Sequence, residues 1–245
     1  ISYADQLFND RAVTIMTPAE EEPSNQTIST AMNCGWAWYI PLQDRVGNGY
    51  VYSSRYCSEE EAEAELRAHL GVGPEVEARH LKMRVGRAKS MWNRNTLAVG
   101  LSQGFLEPLE ATALALVQLT LTRFAKMYKA GGYTNQHAGR FNDEICRAFD
   151  EVRNYLQTHF LTSDREDTQY WRDCRRNTAN VPDRLRAVFK AWYDNGDFRK
   201  ALRELDMDRY YKFNSWLYLF SGTGIFPEAE QLKPAEPAQL QAVPM

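Results

Sequence analysis

The stretch Gly104-Phe105-Leu106-Glu107-Pro108-Leu109-Glu110-Ala111-Thr112 divides this chain of 245 residues into two kinds of sequence. Before it, β-branched and aromatic residues gather in short runs broken by glycine and asparagine, the composition of strands and turns. After it, apolar residues recur at spacings of three and four, as they do in helices. The fold class expected is therefore α+β. A sheet-containing part covers residues 1–107 and a mainly helical part covers 108–227. A loose tail over 228–245 holds Pro234, Pro237 and Pro244.

The quoted stretch also carries chemistry. Pro108 suits the first turn of a helix, where an amide would lack a partner anyway. The unbonded amides of such an end attract anions, Glu110 would sit in that turn, and Thr112 would offer a hydroxyl beside it. An anion the size of a halide and a carboxylate that orients a reacting group both fit this arrangement. The plain alternative is that Glu107 and Glu110 cap a helix and Thr112 packs.

Toward the N-terminus, Trp36-Ala37-Trp38-Tyr39-Ile40-Pro41 reads as a strand in which Trp36, Trp38 and Ile40 share one face. That face could wall off a pocket or belong to the core. Gly47-Asn48-Gly49 separates strand-like residues 35–46 from 50–56, which predicts a hairpin turning at those three residues. Ser58 and Glu61 form a capping box for a helix running to about Leu70 and stopping at Gly71. Residues 80–85 and 96–101 are short strand candidates. Arg84, Arg87, Lys89 and Arg94 could meet a phosphate or line a solvated strand edge.

Toward the C-terminus, residues 111–128 are apolar nearly all round, which predicts a buried helix. Phe141, Ile145, Phe149, Val152, Leu156 and Phe160 mark an amphipathic one. Pro182 opens a third, with Leu185, Val188, Phe189 and Trp192 on one face. Residues 198–205 and 210–220 complete the helical part. Tyr210, Tyr211 and Asn214 place amphipathic rings beside an amide, a surface that could stack a planar molecule or simply pack.

Composition excludes several classes. A net charge of −3 gives no reason to expect nucleic acid or an anionic membrane as partner. No apolar run approaches the roughly 20 residues that span a bilayer. Residues 1–13 lack the basic and apolar segments of a secretion signal, so a cytoplasmic location is expected. Cys34, Cys57, Cys146 and Cys174 have no paired spacing, nor do the four histidines, so reduced thiols and no metal site are expected.

The order and spacing of these motifs resemble the flavin-dependent tryptophan halogenase family. Gly35 to Leu42 is similar to its WxWxIP region, with Trp36, Trp38, Ile40 and Pro41 in the matching places, and Gly104 to Thr112 to its FxEPLEST segment. The likeness runs from about residue 3 to 227. It implies part of an enzyme that halogenates an electron-rich aromatic ring such as an indole, pyrrole or phenol. Reduced FAD and O2 form a flavin hydroperoxide, and chloride or bromide attacks it to give hypohalous acid. A separate flavin reductase supplies the cofactor, and a homodimer is one assembly open to such a chain.

Carried over by position, Glu110 matches the active-site glutamate. Thr112 and the amide of Ala113 match the halide site. Leu114, Gly104 and Phe105 fall beside the flavin, and Tyr210, Tyr211 and Asn214 beside the substrate. Trp36 and Trp38 match tryptophans that keep substrate from the flavin. The family's Gly-rich nucleotide fingerprint and catalytic lysine belong to a preceding half, so this chain, which opens on Ile1, is expected to be a piece that is inactive and self-associating alone. Where the family has Ser-Thr-Gly, this chain has Ala111-Thr112-Ala113. The substrate platform reads Tyr-Tyr rather than Phe-Trp. Two other readings remain: a flavin monooxygenase-like relative that does not halogenate, and a non-catalytic helical interaction module.

Overall fold

The computed structural model describes residues 1–227, so the proline-rich tail lies outside the described residues. Contacts gather the chain into two compact units, Ile1–Asn180 and a second beginning at Val181.

The first unit is built on five strands, β1 (Arg11–Pro18), β2 (Ile28–Met32), β3 (Gly35–Pro41), β4 (Arg45–Tyr52) and β5 (Ala78–Lys82). All neighbours are antiparallel, in the order β2-β3-β4-β1-β5. Side chains alternate across a strand. Val13, Ile15, Ala37, Tyr50 and Tyr52 therefore share one face, where they pack on Ala62 and Leu66 of α1 (Glu59–Leu70). The capping box is present. Glu61 N–H donates to Ser58 Oγ at 3.2 Å, and Ser58 N–H to Glu61 Oε2 at 2.8 Å. Gly71 ends α1 at φ 67°, where a side chain would be strained.

The expected hairpin exists, but its turn does not lie at Gly47-Asn48-Gly49. Residues 42–44 make the turn, closed by Leu42 N–H to Arg45 O at 2.9 Å, and the glycines sit inside β4. The reason is the indole of Trp38, which lies over its cross-strand neighbour Gly49. A Cβ at position 49 would stand 2.1 Å from the Trp38 ring. Packing thus overrides the local turn signal. Trp36 and Trp38 occupy the face opposite α1, with ring centroids 6.1 Å apart.

The later strands are shorter than expected. β6 (Gly86–Arg87) pairs with β9 (Gly104–Phe105), and β7 (Trp92–Asn93) with β8 (Thr96–Leu97). Asn142 in α3 (Ala138–Leu161) clamps this region. Its Oδ1 accepts from the amides of Met91 and Trp92, each at 2.8 Å, and its Nδ2 donates to Trp92 O at 2.8 Å. The six apolar positions read from the spacing of α3 are all buried. Arg87 is not part of an open basic cluster, because Nε and Nη2 grip Asp150 of α3 at 3.1 and 3.0 Å.

The helix read over 111–128 is α2 (Ala113–Ala130), and it is not buried all round. Leu116 and Thr120 face inward, while Leu114 is 82% and Leu121 48% exposed. Apolar character here does not mean burial, because no described residue covers that side.

Strands end at residue 105 and helices follow, so the change of character near 107 is one of secondary structure. The compact units part elsewhere because α3 and α4 (Gln169–Arg176) are bonded back to the sheet. Trp171 Nε1–H donates to Met32 O at 2.7 Å and Thr168 Oγ–H to Asn33 O at 2.7 Å. The second unit holds α5 (Asp183–Tyr193), α6 (Phe198–Glu204) and α7 (Phe213–Gly222) around Leu185, Val188, Leu202, Trp216 and Phe220.

No described helix is long and apolar enough to cross a membrane. All four cysteines are free, and among the described residues no His, Cys, Asp and Glu group could hold a metal ion.

Candidate active site

The segment from Gly104 to Leu114 runs between β9 and α2, and its backbone sets which way each side chain points. The residue before a proline is held extended. Glu107, at φ −58° and ψ 144°, accordingly continues the path of β9 inward. Pro108–Glu110 make a single 3₁₀ turn, and Ala111 then takes the left-handed conformation at φ 51°. Thr112 caps α2, whose first intrahelical bond is Leu116 N–H to Thr112 O at 3.0 Å. Glu110 therefore does not sit in the first turn of α2. It belongs to a separate turn, cut off by the left-handed residue. An L-residue held there costs roughly 1–2 kcal/mol. Ala111→Gly is expected to recover about 1 kcal/mol and raise the melting temperature, measurable by calorimetry.

Five of the residues singled out from the sequence converge. Gly104, Phe105, Thr112, Ala113 and Leu114 line one cleft of about 210 Å³, together with Leu116, Val117 and Phe149. The amides of Ala113, Leu114 and Ala115 open the helix here and have no intrahelical acceptor. Thr112 is buried while Ala113 and Leu114 are exposed.

Glu110 pairs with His159 of α3, Oε1 to Nε2 at 2.8 Å, with side chains 32% and 22% exposed. His159 Nδ1 faces the carbonyl of Tyr155 at 3.0 Å. A carbonyl can only accept, so Nδ1 carries a hydrogen and a further proton lies between Nε2 and the carboxyl. Burial raises the Tyr155 hydroxyl, and the charge of Glu110 adds to that.

Glu107 is the residue to which the sequence assigned no role in the site: it stands just ahead of the 3₁₀ turn, but its side chain makes no capping bond there. It is fully buried, and one oxygen, Oε2, accepts from Trp36 Nε1–H at 2.8 Å and from Asn9 Nδ2–H at 2.7 Å. Tyr170 O–H of α4 completes the chain by donating to Asn9 Oδ1 at 2.9 Å. Glu107 Oε1 is buried and has no hydrogen-bond partner among the described residues. Burial pushes the Glu107 carboxyl up from 4.5 to about 7, against the lowering effect of its two donors and of His159. Tyr170 and Cys174 of α4 also face it. The signal that could have found it was the Glu-Pro pair directly after a strand.

A carboxyl raised on folding binds a proton that the unfolded chain has already lost. Stability from this site is present below pH 4.5 and falls as pH rises toward 7, by roughly 3 kcal/mol in all. Urea unfolding at pH 5 and pH 8 should show that loss, and Glu107→Gln should flatten it.

The remaining residues lie outside that cleft. Trp36 is buried, Trp38 and Pro41 are half-buried, and Ile40 is 37% exposed. In the second unit Tyr211 is buried, Tyr210 half-buried and in ring contact with it at 5.1 Å. Asn214 is exposed in the first turn of α7.

The family model for tryptophan halogenase matches residues 1–237. The chain is 41% identical over 198 residues to the tryptophan 6-halogenase SttH of Streptomyces toxytricini, covering 78% of this chain and 37% of that protein. It is 34% identical over 245 residues to the tryptophan 7-halogenase KtzQ of a Kutzneria strain, covering 93% and 45%. The crystal structure of SttH superposes with a TM-score of 0.85 at 34% identity, over 98% of this chain and 48% of that one. BrvH, a flavin-dependent halogenase from a Brevundimonas species, gives 0.83 at 33% identity, over 99% and 49%. The chain thus spans half or less of the length of these relatives. With its WxWxIP strand, its FLEPLEAT loop and the cleft between β9 and α2, this chain belongs to the tryptophan halogenase family.

Proposed function

We propose that this chain forms part of an enzyme that halogenates an electron-rich aromatic ring, such as an indole, pyrrole or phenol. It would use reduced FAD, chloride or bromide, and O2, and the flavin would come from a separate reductase. The observation that carries this reading is the convergence of Gly104, Phe105, Thr112, Ala113 and Leu114 on one cleft in a chain of this family.

The cleft fits part of a flavin. Its walls are mostly apolar, as a flat ring requires, but about 210 Å³ is below the roughly 300–1,000 Å³ of sites that enclose a whole ligand. The rest of the cofactor would need other surface. Bound there, reduced flavin would supply the electrons with which O2 turns halide into an electrophilic halogen. Thr112 and the amide of Ala113 would hold the halide at the start of α2. Phe105 and Leu114 would flank the ring, with Gly104 giving close approach. Glu110, steadied by His159, would hold or take a proton at the aromatic substrate. Trp36 and Trp38 would wall the substrate from the flavin. By the same resemblance, Tyr210, Tyr211 and Asn214 would meet the ring of the substrate.

The test uses the chain within its complete reading frame, with a flavin reductase, bromide or chloride, and a panel of indoles, pyrroles and phenols. Products bearing the isotope pattern of the added halogen, and absent without halide, are expected. Oxygenated products would favour the monooxygenase-like reading. Ring binding without flavin and without product would favour the interaction module.

A further inference from the structure

We propose that Glu107 is the positioning residue of this site: through the indole N–H of Trp36 it fixes the tryptophan wall against the loop that carries Glu110, Thr112 and Ala113. The argument is geometric. Gly49 lacks a side chain, so the Trp38 indole lies over β4, where a Cβ would intrude to 2.1 Å. Trp38 abuts Trp36 at 6.1 Å between centroids, and Trp36 can no longer move toward Trp38. Its N–H then reaches Glu107 Oε2 at 2.8 Å. Three residues beyond Glu107 is Glu110, and five beyond is Thr112. One carboxyl oxygen therefore sets the spacing between the wall and the loop.

The same oxygen takes Asn9 Nδ2–H at 2.7 Å, so the segment before β1 is tied to the same point. Among the described residues neither donor has another acceptor, and losing Glu107 would strand both. A carboxyl does more here than an amide would, because its strength as an acceptor changes with its proton. Ionised, it grips both donors with charge-assisted bonds. Neutral, it grips them less. The groups facing it are Asn9 and Trp36 from the sheet side, His159 from α3, and Tyr170 and Cys174 from α4. A proton at Glu107 is thereby read at the indole of Trp36.

The part this plays in the reaction rests on the halogenase reading, but the bond and its pH response do not. The test is the indole N–H resonance of Trp36 in protein labelled with 15N-tryptophan, assigned by its absence from Trp36→Phe, followed from pH 5 to pH 8.5. In the wild type the resonance is expected to be protected from exchange and to shift with a single midpoint near neutrality. Glu107→Gln keeps an acceptor of the same size, so protection should persist while the titration disappears. Glu107→Leu should lose protection, with exchange about tenfold faster or more. A resonance that does not titrate in the wild type, or one that still titrates in Glu107→Gln, overturns the assignment. So does full protection in Glu107→Leu. If the indole behaves as expected but no halogenated product forms, the reading of the reaction fails and that of Glu107 stands.

Discussion

Glu110→Gln is expected to lower aromatic halogenation by about 10²- to 10⁴-fold, the usual worth of a positioned proton-transfer group. The fold should survive, because the side chain is about a third exposed and its partner His159 stays on α3. Glutamine keeps the length and one acceptor, but it cannot exchange the proton that the His159 geometry places between the two groups. Exposed pairs of this kind contribute only about 0–1 kcal/mol, so the melting temperature should move by a few degrees at most. Measuring product formation and melting on one preparation separates the two effects. Equal loss of both would mean that Glu110 serves the fold and not the chemistry.

Gly35→Ala should give the opposite pattern, a large loss of stability far from any proton transfer. A Cβ at position 35 would stand 1.9 Å from the carbonyl oxygen of Val51 and 2.9 Å from Cα of Tyr52. Both are backbone atoms of β4, the central partner of β3, and neither can rotate away. The hairpin would have to open where Gly35 faces Tyr52. Overpacking usually costs about 1–3 kcal/mol, and a clash with backbone belongs at or above the top of that range. In a protein of this size that lowers the melting temperature by about 10 °C. The indole of Trp36, the next residue, should lose its protected environment in the same variant.

Much of the architecture was legible because it rests on local chemistry. Ser58 with Glu61, and Gly71 beyond them, marked both ends of α1. The six apolar residues of α3 marked its buried side. What failed were the places where distant residues decide. The turn between β3 and β4 could not be placed because Gly49 serves the ring of Trp38 rather than a bend. The sides of α2 could not be sorted, since the same leucines suit a core or an uncovered surface. At the site, the residues around the cleft came from motif order, whereas Glu107 had no role beyond that of a possible cap. Its partners Asn9 and Trp36 lie 98 and 71 residues away, and no periodicity reports such a pairing.

The two indoles of β3 bring an optical consequence. Aromatic chromophores 6.1 Å apart and inclined at 56° couple their electronic transitions, which splits the circular dichroism of the pair into a couplet of opposite signs. The sign and size of that couplet depend on the distance between the rings and on their relative orientation. Trp36→Phe or Trp38→Phe should abolish it. A protein whose helices are intact but whose couplet is lost would have a disordered wall, a condition that helical dichroism alone would pass as native.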